Sequence, residues 1–364
     1  MSEAEALPAG LIPPRENPDL IGHEAAEQTL LRAWTGDRFA HAWMICGPRG
    51  IGKATLAYRF ARFVLAGEGE GGLFGGPENL ALDPEHAVFR RIVGGGHADF
   101  LAVERSVDEK SKKLRSEIVV GDVRRALPFF AQTAAEGGWR VAVVDCADEM
   151  NRNAANALLK VLEEPPQRGL LLLVSHAPGS LLATMRSRCR KLTLRPLTDD
   201  QVSSLVRRRF PDLEATEVEA LVALAAGSPG RALGLAGESG LELYRELLAL
   251  LEGLPGSDVP ALHKLGDRLA RANGATAFQA LMELLLGFLG RLVTMAASGQ
   301  QPQEVVAGEG AMMRGLAARR GLDHWLEVWE KVGRLAASAE GANLDRKQVL
   351  LNVFSVLERA LRGV

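Results

Sequence analysis

Cysteine is scarce in this chain and badly placed for cross-linking. The three present, Cys46, Cys146 and Cys189, lie far apart and form no C-x-x-C pair. That excludes a disulfide framework and a dithiol redox motif, and points to buried thiols in a reducing compartment. An excess of one charge is lacking too. With 43 Lys and Arg against 45 Asp and Glu, the formal net charge is −2, so the chain as a whole is no basic nucleic-acid binder, and any such contact must be local or shared with partners. Long apolar runs are missing: nothing approaches the roughly 18 uninterrupted residues of a membrane span. The polar, proline-bearing residues 1–14 contain no apolar stretch of the secretory kind. A cytoplasmic location without a membrane is the expectation. At 364 residues, 47% hydrophobic and 24% charged, the composition is that of a soluble globular chain with room for two or three domains.

What the chain does have is glycine in one telling place. A short apolar run from Trp43 to Cys46 leads into a turn holding Gly47, Gly50 and Gly52, and Leu56, Phe60 and Val64 then recur at helical spacing. That is a strand, a loop and a helix. Gly47, Gly52 and Lys53 match G-x-x-x-x-G-K, the phosphate loop, in which N–H groups at a helix N-terminus cradle phosphates and the lysine meets their charge. Glycine is required because a Cβ would block the close approach. The next residue of the pattern is a Ser or Thr whose hydroxyl ligates Mg²⁺, and here it is Ala54. Thr55 is turned about 100° further round the helix and is not expected to replace it. The loop is built for phosphate and stripped of a metal ligand.

Along the chain, Leu20 to Glu24 leads into a helical pattern with Ala26, Leu30 and Trp34. Six of the ten residues 67–76 are glycine, and Gly94, Gly95 and Gly96 follow, which reads as a mobile surface insertion. Ile118 to Val120 reads as a short strand, after which Gly121 and Asp122 open a helix carrying Val123, Ala126, Leu127 and Phe130. Residues 140–145, RVAVVD, form a continuous apolar strand of the kind buried in a parallel sheet, ending in Asp145, a candidate second metal-binding element of a phosphate-loop ATPase. Cys146 stands where an active enzyme of that class places a water-orienting glutamate. Ala155, Leu158, Leu159 and Leu162 then make one helical stripe, stopped by Pro165 and Pro166, and another buried strand occupies residues 170–174. Alternating strands and helices over residues 40–195 give an α/β domain with a parallel sheet. From Pro196 onward strand signals stop and Leu/Ala-rich helical periodicity continues to the end, with breaks at 227–230, 253–260 and 299–302. Residues 280–295 are apolar on more than one face, as in a buried bundle helix. The segment 186–195 gathers Arg186, Arg188, Arg190, Lys191 and Arg195 without an acid. It reads either as a solvated or phosphate-contacting patch, or as a source of an arginine finger for a neighbouring subunit.

The set GPRGIGK, VVDCADEMNRNAANALLKVLEEPP, MRSRC and GSPGRAL, in this order, closely resembles the AAA+ subunits of the bacterial DNA polymerase III clamp loader. Within that family it is most similar to the branch that keeps the motor fold but has lost parts of the ATPase apparatus. The similarity covers about residues 18–240, and NLDRKQVLLNVF resembles the family's collar. It implies a flexible N-terminus (1–17), an AAA+ phosphate-loop α/β domain (18–197), a helical lid (198–238) and an all-helical collar for oligomerisation (239–364). It further implies a phosphate loop from Gly47 to Thr55, Asp145 closing the second nucleotide-binding strand, Ser175 at the sensor position, Arg231 as the lid arginine, and Arg188 as a finger acting on a neighbour's ATP site. The implied partners are delta and tau/gamma subunits in a five-membered ring, and indirectly the sliding clamp and primer-template DNA. Ala54 and Cys146 depart from the motor pattern and argue against hydrolysis. The rival is an ATP-hydrolysing tau/gamma-type motor. Clamp-loader kin also carry a four-cysteine zinc module before the next strand. Residues 67–99 hold no cysteine and only His86 and His97, so no zinc is expected. No resident cofactor is implied beyond ATP or ADP held without turnover.

Overall fold

Strands buried at every position are covered on both faces, and among the described residues the three that meet this condition occupy the middle of one sheet. The computed structural model describes residues 10–36, 39–67, 77–110, 114–136, 138–256, 258–271, 274–301, 303–342 and 344–362. Residues 68–76, most of the expected mobile insertion, lie outside them. The chain divides into two compact units, one built from Ile12–Gln201 with Ser228–Gly230, the other from Val202–Gly227 with Arg231–Val364.

The first unit runs α1 (Glu24–Trp34), β1 (Ala42–Cys46), α2 (Lys53–Ala66), α3 (Ala87–Val93), β2 (Phe100–Val103), α4 (Val120–Arg124), α5 (Ala126–Ala131), β3 (Arg140–Val144), α6 (Arg152–Glu163), β4 (Gly169–Ser175), α7 (Ala183–Arg186) and β5 (Arg190–Thr193). All strand pairs are parallel, in the order β2-β3-β4-β1-β5. Alternation along each strand divides the apolar side chains between two cores. Trp43, Ile45, Val141, Val143, Leu170 and Leu172 pack with α1, α2 and α3 on one face. Ala42, Met44, Ala142, Val144, Leu171 and Leu173 pack with α4, α5, α6 and α7 on the other. This is the α/β domain with a parallel sheet that the alternating strand and helix signals predicted.

Two edge strands went unread in the sequence. β2 is only half-buried, and β5 carries Arg190 and Lys191 on a largely exposed edge, where charge discourages pairing with another chain. The strand expected at Ile118 to Val120 is a correction: Ile118 makes a single bridge to Met150, and α4 already begins at Val120. Of the N-terminal stretch, residues 1–9 lie outside the described residues. Residues 15–17 are tied down by the buried Arg62, which donates to the carbonyls of Arg15 (2.9 Å) and Asn17 (2.8 Å).

The chain passes through α8 (Asp199–Arg209) into the second unit, where α9 (Ala215–Ala225), α10 (Pro229–Gly237), α11 (Gly240–Glu252), α12 (Val259–Leu269), α13 (Ala275–Ser298), α14 (Glu309–Arg319), α15 (Leu322–Ala342) and α16 (Arg346–Arg362) follow. Of the residues expected as lid, 202–227 and 231–238 fall in this unit together with the described residues of the expected collar, while 198–201 and 228–230 fall in the first. The axis of the second unit is α13, which packs against α11, α12, α14 and α15. With 24 residues and a mean hydropathy of 1.6, α13 is long and apolar enough to cross a membrane by length and composition. This corrects the expectation that nothing approaches that size. Glu283 and Arg291 interrupt the run, while Leu281, Leu284, Leu285, Phe288 and Leu292 are buried as in a core helix. Inside the unit the buried Glu309 carboxylate is matched by Arg291 and the Tyr244 hydroxyl.

Candidate nucleotide site and an exposed arginine

The loop between β1 and α2 owes its shape to its glycines. Gly47, Gly50 and Gly52 take φ of 146°, 73° and 103°, values that L side chains rarely adopt. At Gly47 a Cβ would also lie 2.7 Å from the Leu194 carbonyl oxygen. Gly52 is the N-cap of α2 and contributes no side-chain cap, so the first N–H groups of a fourteen-residue helix are left for an anion. Lys53 is buried, and its ammonium donates to the Pro48 carbonyl (2.6 Å). Burial pulls its pKa down, against the opposing pull of Cys146, Asp148 and Asp145. The loop carbonyls are engaged as well: Ser228 Oγ donates to Arg49 O (2.9 Å), Gly230 N donates to Gly50 O (2.9 Å), and His23 Nε2 meets Ile51 O (2.5 Å). Thr55 is buried on α2 and Ala54 sits against the core beside it.

Parallel strands bring their carboxyl ends to one edge, so Asp145 after β3 and Ser175 at the end of β4 share that edge with the loop. Asp145 is pushed up to about 6, first by burial and then by the charges of Glu104 and Glu149. Cys146 takes a left-handed φ of 60°; burial pushes its thiol up, and its Sγ donates to Asp145 (3.8 Å). Each neighbouring acid is matched. Glu104 accepts from Arg15 (2.6 Å) and Tyr58 (2.7 Å), Glu149 pairs with Arg49 (3.0 Å) and Arg105 (3.1 Å), and Asp148 pairs with His176 (2.8 Å). Although burial acts to raise Asp148, its contacts with the His176 ring and the His176 backbone N–H (3.0 Å) win and hold it below the ordinary range. Ser175 is fully buried.

Chemically, the loop fits phosphate: it has the glycine conformations, the uncapped helix end and the lysine. It does not fit a protein-ligated Mg²⁺, since Ala54 brings a methyl group where the hydroxyl belongs, and Cys146 cannot orient water as a carboxylate does. Among the described residues no group of three His, Cys, Asp or Glu side chains converges as a metal site. His86 and His97 accept backbone N–H bonds from Val88 and Asp99.

Arg188 lies between α7 and β5. Its guanidinium donates to the Thr184 carbonyl (3.1 Å) and pairs with Glu163 (3.1 Å), with the two side chains 37% and 49% exposed. Arg231 belongs to the second unit, where it donates to the Glu283 carbonyl on α13 (3.1 Å). Sequence reasoning missed His23, Tyr58, Glu104, Glu149 and Ser228. Ser228 does lie within the quoted GSPGRAL, but a serine there carries no signal of its bond to a loop 179 residues away.

Comparison with known proteins adds the following. Residues 22–198 match the model of the family described as DNA polymerase III, delta subunit. The chain is 38% identical over 200 residues to the DNA polymerase III subunit delta' of Pseudomonas aeruginosa, covering 55% of this chain and 56% of that protein. It is 31% identical over 208 residues to the subunit delta' of Escherichia coli, covering 57% and 58%. To the subunit tau of Bacillus subtilis it is 27% identical over 282 residues, covering 75% and 46%. The chain thus spans about half the length of the curated relatives it matches.

Proposed function

We propose, from the match of residues 22–198 to the family model described as DNA polymerase III, delta subunit, that the whole chain serves as a delta'-type subunit of a replicative clamp loader in the cytoplasm. It takes a place among delta and tau/gamma subunits in a five-membered ring and helps to load a sliding clamp onto primer-template DNA. Arg188 is its contribution to the chemistry, a cation offered to the phosphates of ATP bound by a neighbour. The observation that carries this reading is an asymmetry: the phosphate loop lacks the metal and water-handling side chains at Ala54 and Cys146, while Arg188 stands exposed ahead of β5, at the opposite end of the parallel sheet from the loop. A guanidinium suits the task because it stays charged and presents a planar fork to phosphate oxygens.

Within its own loop, Lys53 and the N–H groups at the start of α2 would hold the phosphates of ATP or ADP without turnover. Asp145 and Ser175 complete the proposed nucleotide-facing set of this unit. The competing reading is a tau/gamma-type motor that hydrolyses ATP at its own loop. It is supported by the likeness to subunit tau and opposed by Ala54 and Cys146.

The test is to reconstitute the loader with Arg188→Ala and Arg188→Lys chains. DNA-stimulated ATPase and clamp loading should fall, with the site that Arg188 serves slowed by roughly 10³-fold or more. Lysine should not restore it. The isolated wild-type chain should hydrolyse ATP no faster than a Lys53→Ala control. Full activity of a correctly assembled Arg188→Ala complex would remove the finger, and turnover by the isolated chain would favour the motor.

A further inference from the structure

Two of the quoted sequence segments, ALLKVLEEPP and SRC, share an ion pair. Glu163 closes α6, and its carboxylate meets Nη2 of Arg188 at 3.1 Å. We infer that Glu163 is the positioning residue of Arg188, holding one edge of the guanidinium so that the rest of the fork points outward preformed. This rests on the reading of Arg188 as a finger acting in trans.

Both sides of the contact are fixed in place. On the α6 side, Glu164 leaves the helix with φ −117° and ψ 75°, as a residue before proline must, and Pro165 and Pro166 prevent continuation. Gly169 N then donates to Pro166 O (3.1 Å), which joins the turn to the start of β4. Gly169 is needed there, because a Cβ would lie 2.2 Å from Pro166 Cγ. On the other side Arg188 N donates to Met185 O (3.1 Å), and Met185 is fully buried under α7 in the core that α6 also lines. Both backbones are therefore anchored, and the freedom left is that of the two side chains, which the pair restricts. Thr184 O takes one N–H of Nη1 and Glu163 takes one of Nη2. A guanidinium has five N–H donors, so three remain for phosphate oxygens.

An exposed ion pair of this kind adds little to stability, which separates a positioning role from a structural one. Without Glu163 the long arginine side chain samples more rotamers, and only a fraction of them present the fork correctly. The effect belongs in kcat rather than in KM, since the finger acts as charge develops on the transferring phosphoryl group.

The experiment compares loaders reconstituted with Glu163→Ala, Glu163→Gln, Glu163→Lys, Arg188→Ala and the Glu163→Ala/Arg188→Ala double variant, with assembly checked by gel filtration. We expect Glu163→Ala to lower the kcat of the DNA-stimulated ATPase about fivefold with KM unchanged. Gln, which keeps the length and an acceptor oxygen, should restore most of it, and Lys, which repels the guanidinium, should be slowest. The double variant should match Arg188→Ala alone, because Glu163 acts only through the arginine. Wild-type rates in the Glu163 variants beside a slow Arg188→Ala complex would overturn the inference while leaving the finger in place. A further loss in the double variant would overturn it as well, by showing that Glu163 acts elsewhere. A fast Arg188→Ala complex would remove the finger, and this inference with it. Should the alanine variant fail to assemble, the order of Gln and Lys decides.

Discussion

The phosphate loop and the Arg188 corner belong to the same unit and are held in opposite manners. The loop is bound from within: Lys53 bonds to Pro48, the Arg49 and Gly50 carbonyls receive Ser228 and Gly230, and His23 meets Ile51 O. Arg188 touches one carbonyl and one exposed carboxylate. Buried, mutually satisfied groups resist change because breaking one leaves its partner unsatisfied. An exposed arginine in a loose pair costs little to redirect. The part that resembles an enzyme's own site is thus built as structure, and the more loosely held part is the one proposed to serve a neighbour.

The comparison breaks most easily at Gly47. Gly47→Ala places a Cβ at φ 146° and 2.7 Å from the Leu194 carbonyl oxygen. It should destabilise the first unit by about 3 kcal/mol in urea denaturation; a loss below about 1 kcal/mol would show that the loop is as loosely held as the arginine.

A smaller effect is expected at Asp145, with the opposite sign. Its folded pKa of about 6 lies above the ordinary value of 3.8, so between those values the folded chain binds more protons than the unfolded one. Stability from this group is therefore full below about pH 4 and lost as pH rises through 6. Asp145→Asn should stabilise the chain at pH 8 by roughly 2 kcal/mol and flatten the fall between pH 4 and 6. Denaturation midpoints measured across that range would check it, and an Asn variant weakened at pH 8 would count against a strained acid.

The smallest effect is the one that sharpens the contrast. Arg188→Ala should change the stability of the chain by no more than about 0.5 kcal/mol, even though it is expected to cost the assembled complex the most activity. A loss above 2 kcal/mol would make Arg188 part of the framework and erase the difference between the two corners.

Elements buried on both faces could be read from the sequence. β1, β3 and β4 are unbroken apolar runs, the strand–loop–helix around Gly47 announces itself by its glycines, and Asn151 caps α6 just ahead of its apolar stripe. β2 and β5 could not be read, because a four-residue strand at the edge of the sheet is less covered than a central one and its composition is less constrained. Arg190 and Lys191 therefore looked like a patch. Ile118 to Val120 looked like a strand because β-branched residues suit strands, yet the sheet gave that segment only one bridge.

Sequence alone determined which chemistry is missing, since Ala54 and Cys146 are absences that no fold can repair. It also determined the α/β-then-helical order, because hydrophobic periodicity is local. Only the tertiary structure decided what surrounds the named residues. The acids raising Asp145, the Ser228 bond to the loop and the Glu163 partner of Arg188 come from segments brought together by strand order and helix packing. Polar contacts act over a few ångströms in space, and a linear chain carries no record of which distant residues will come that close.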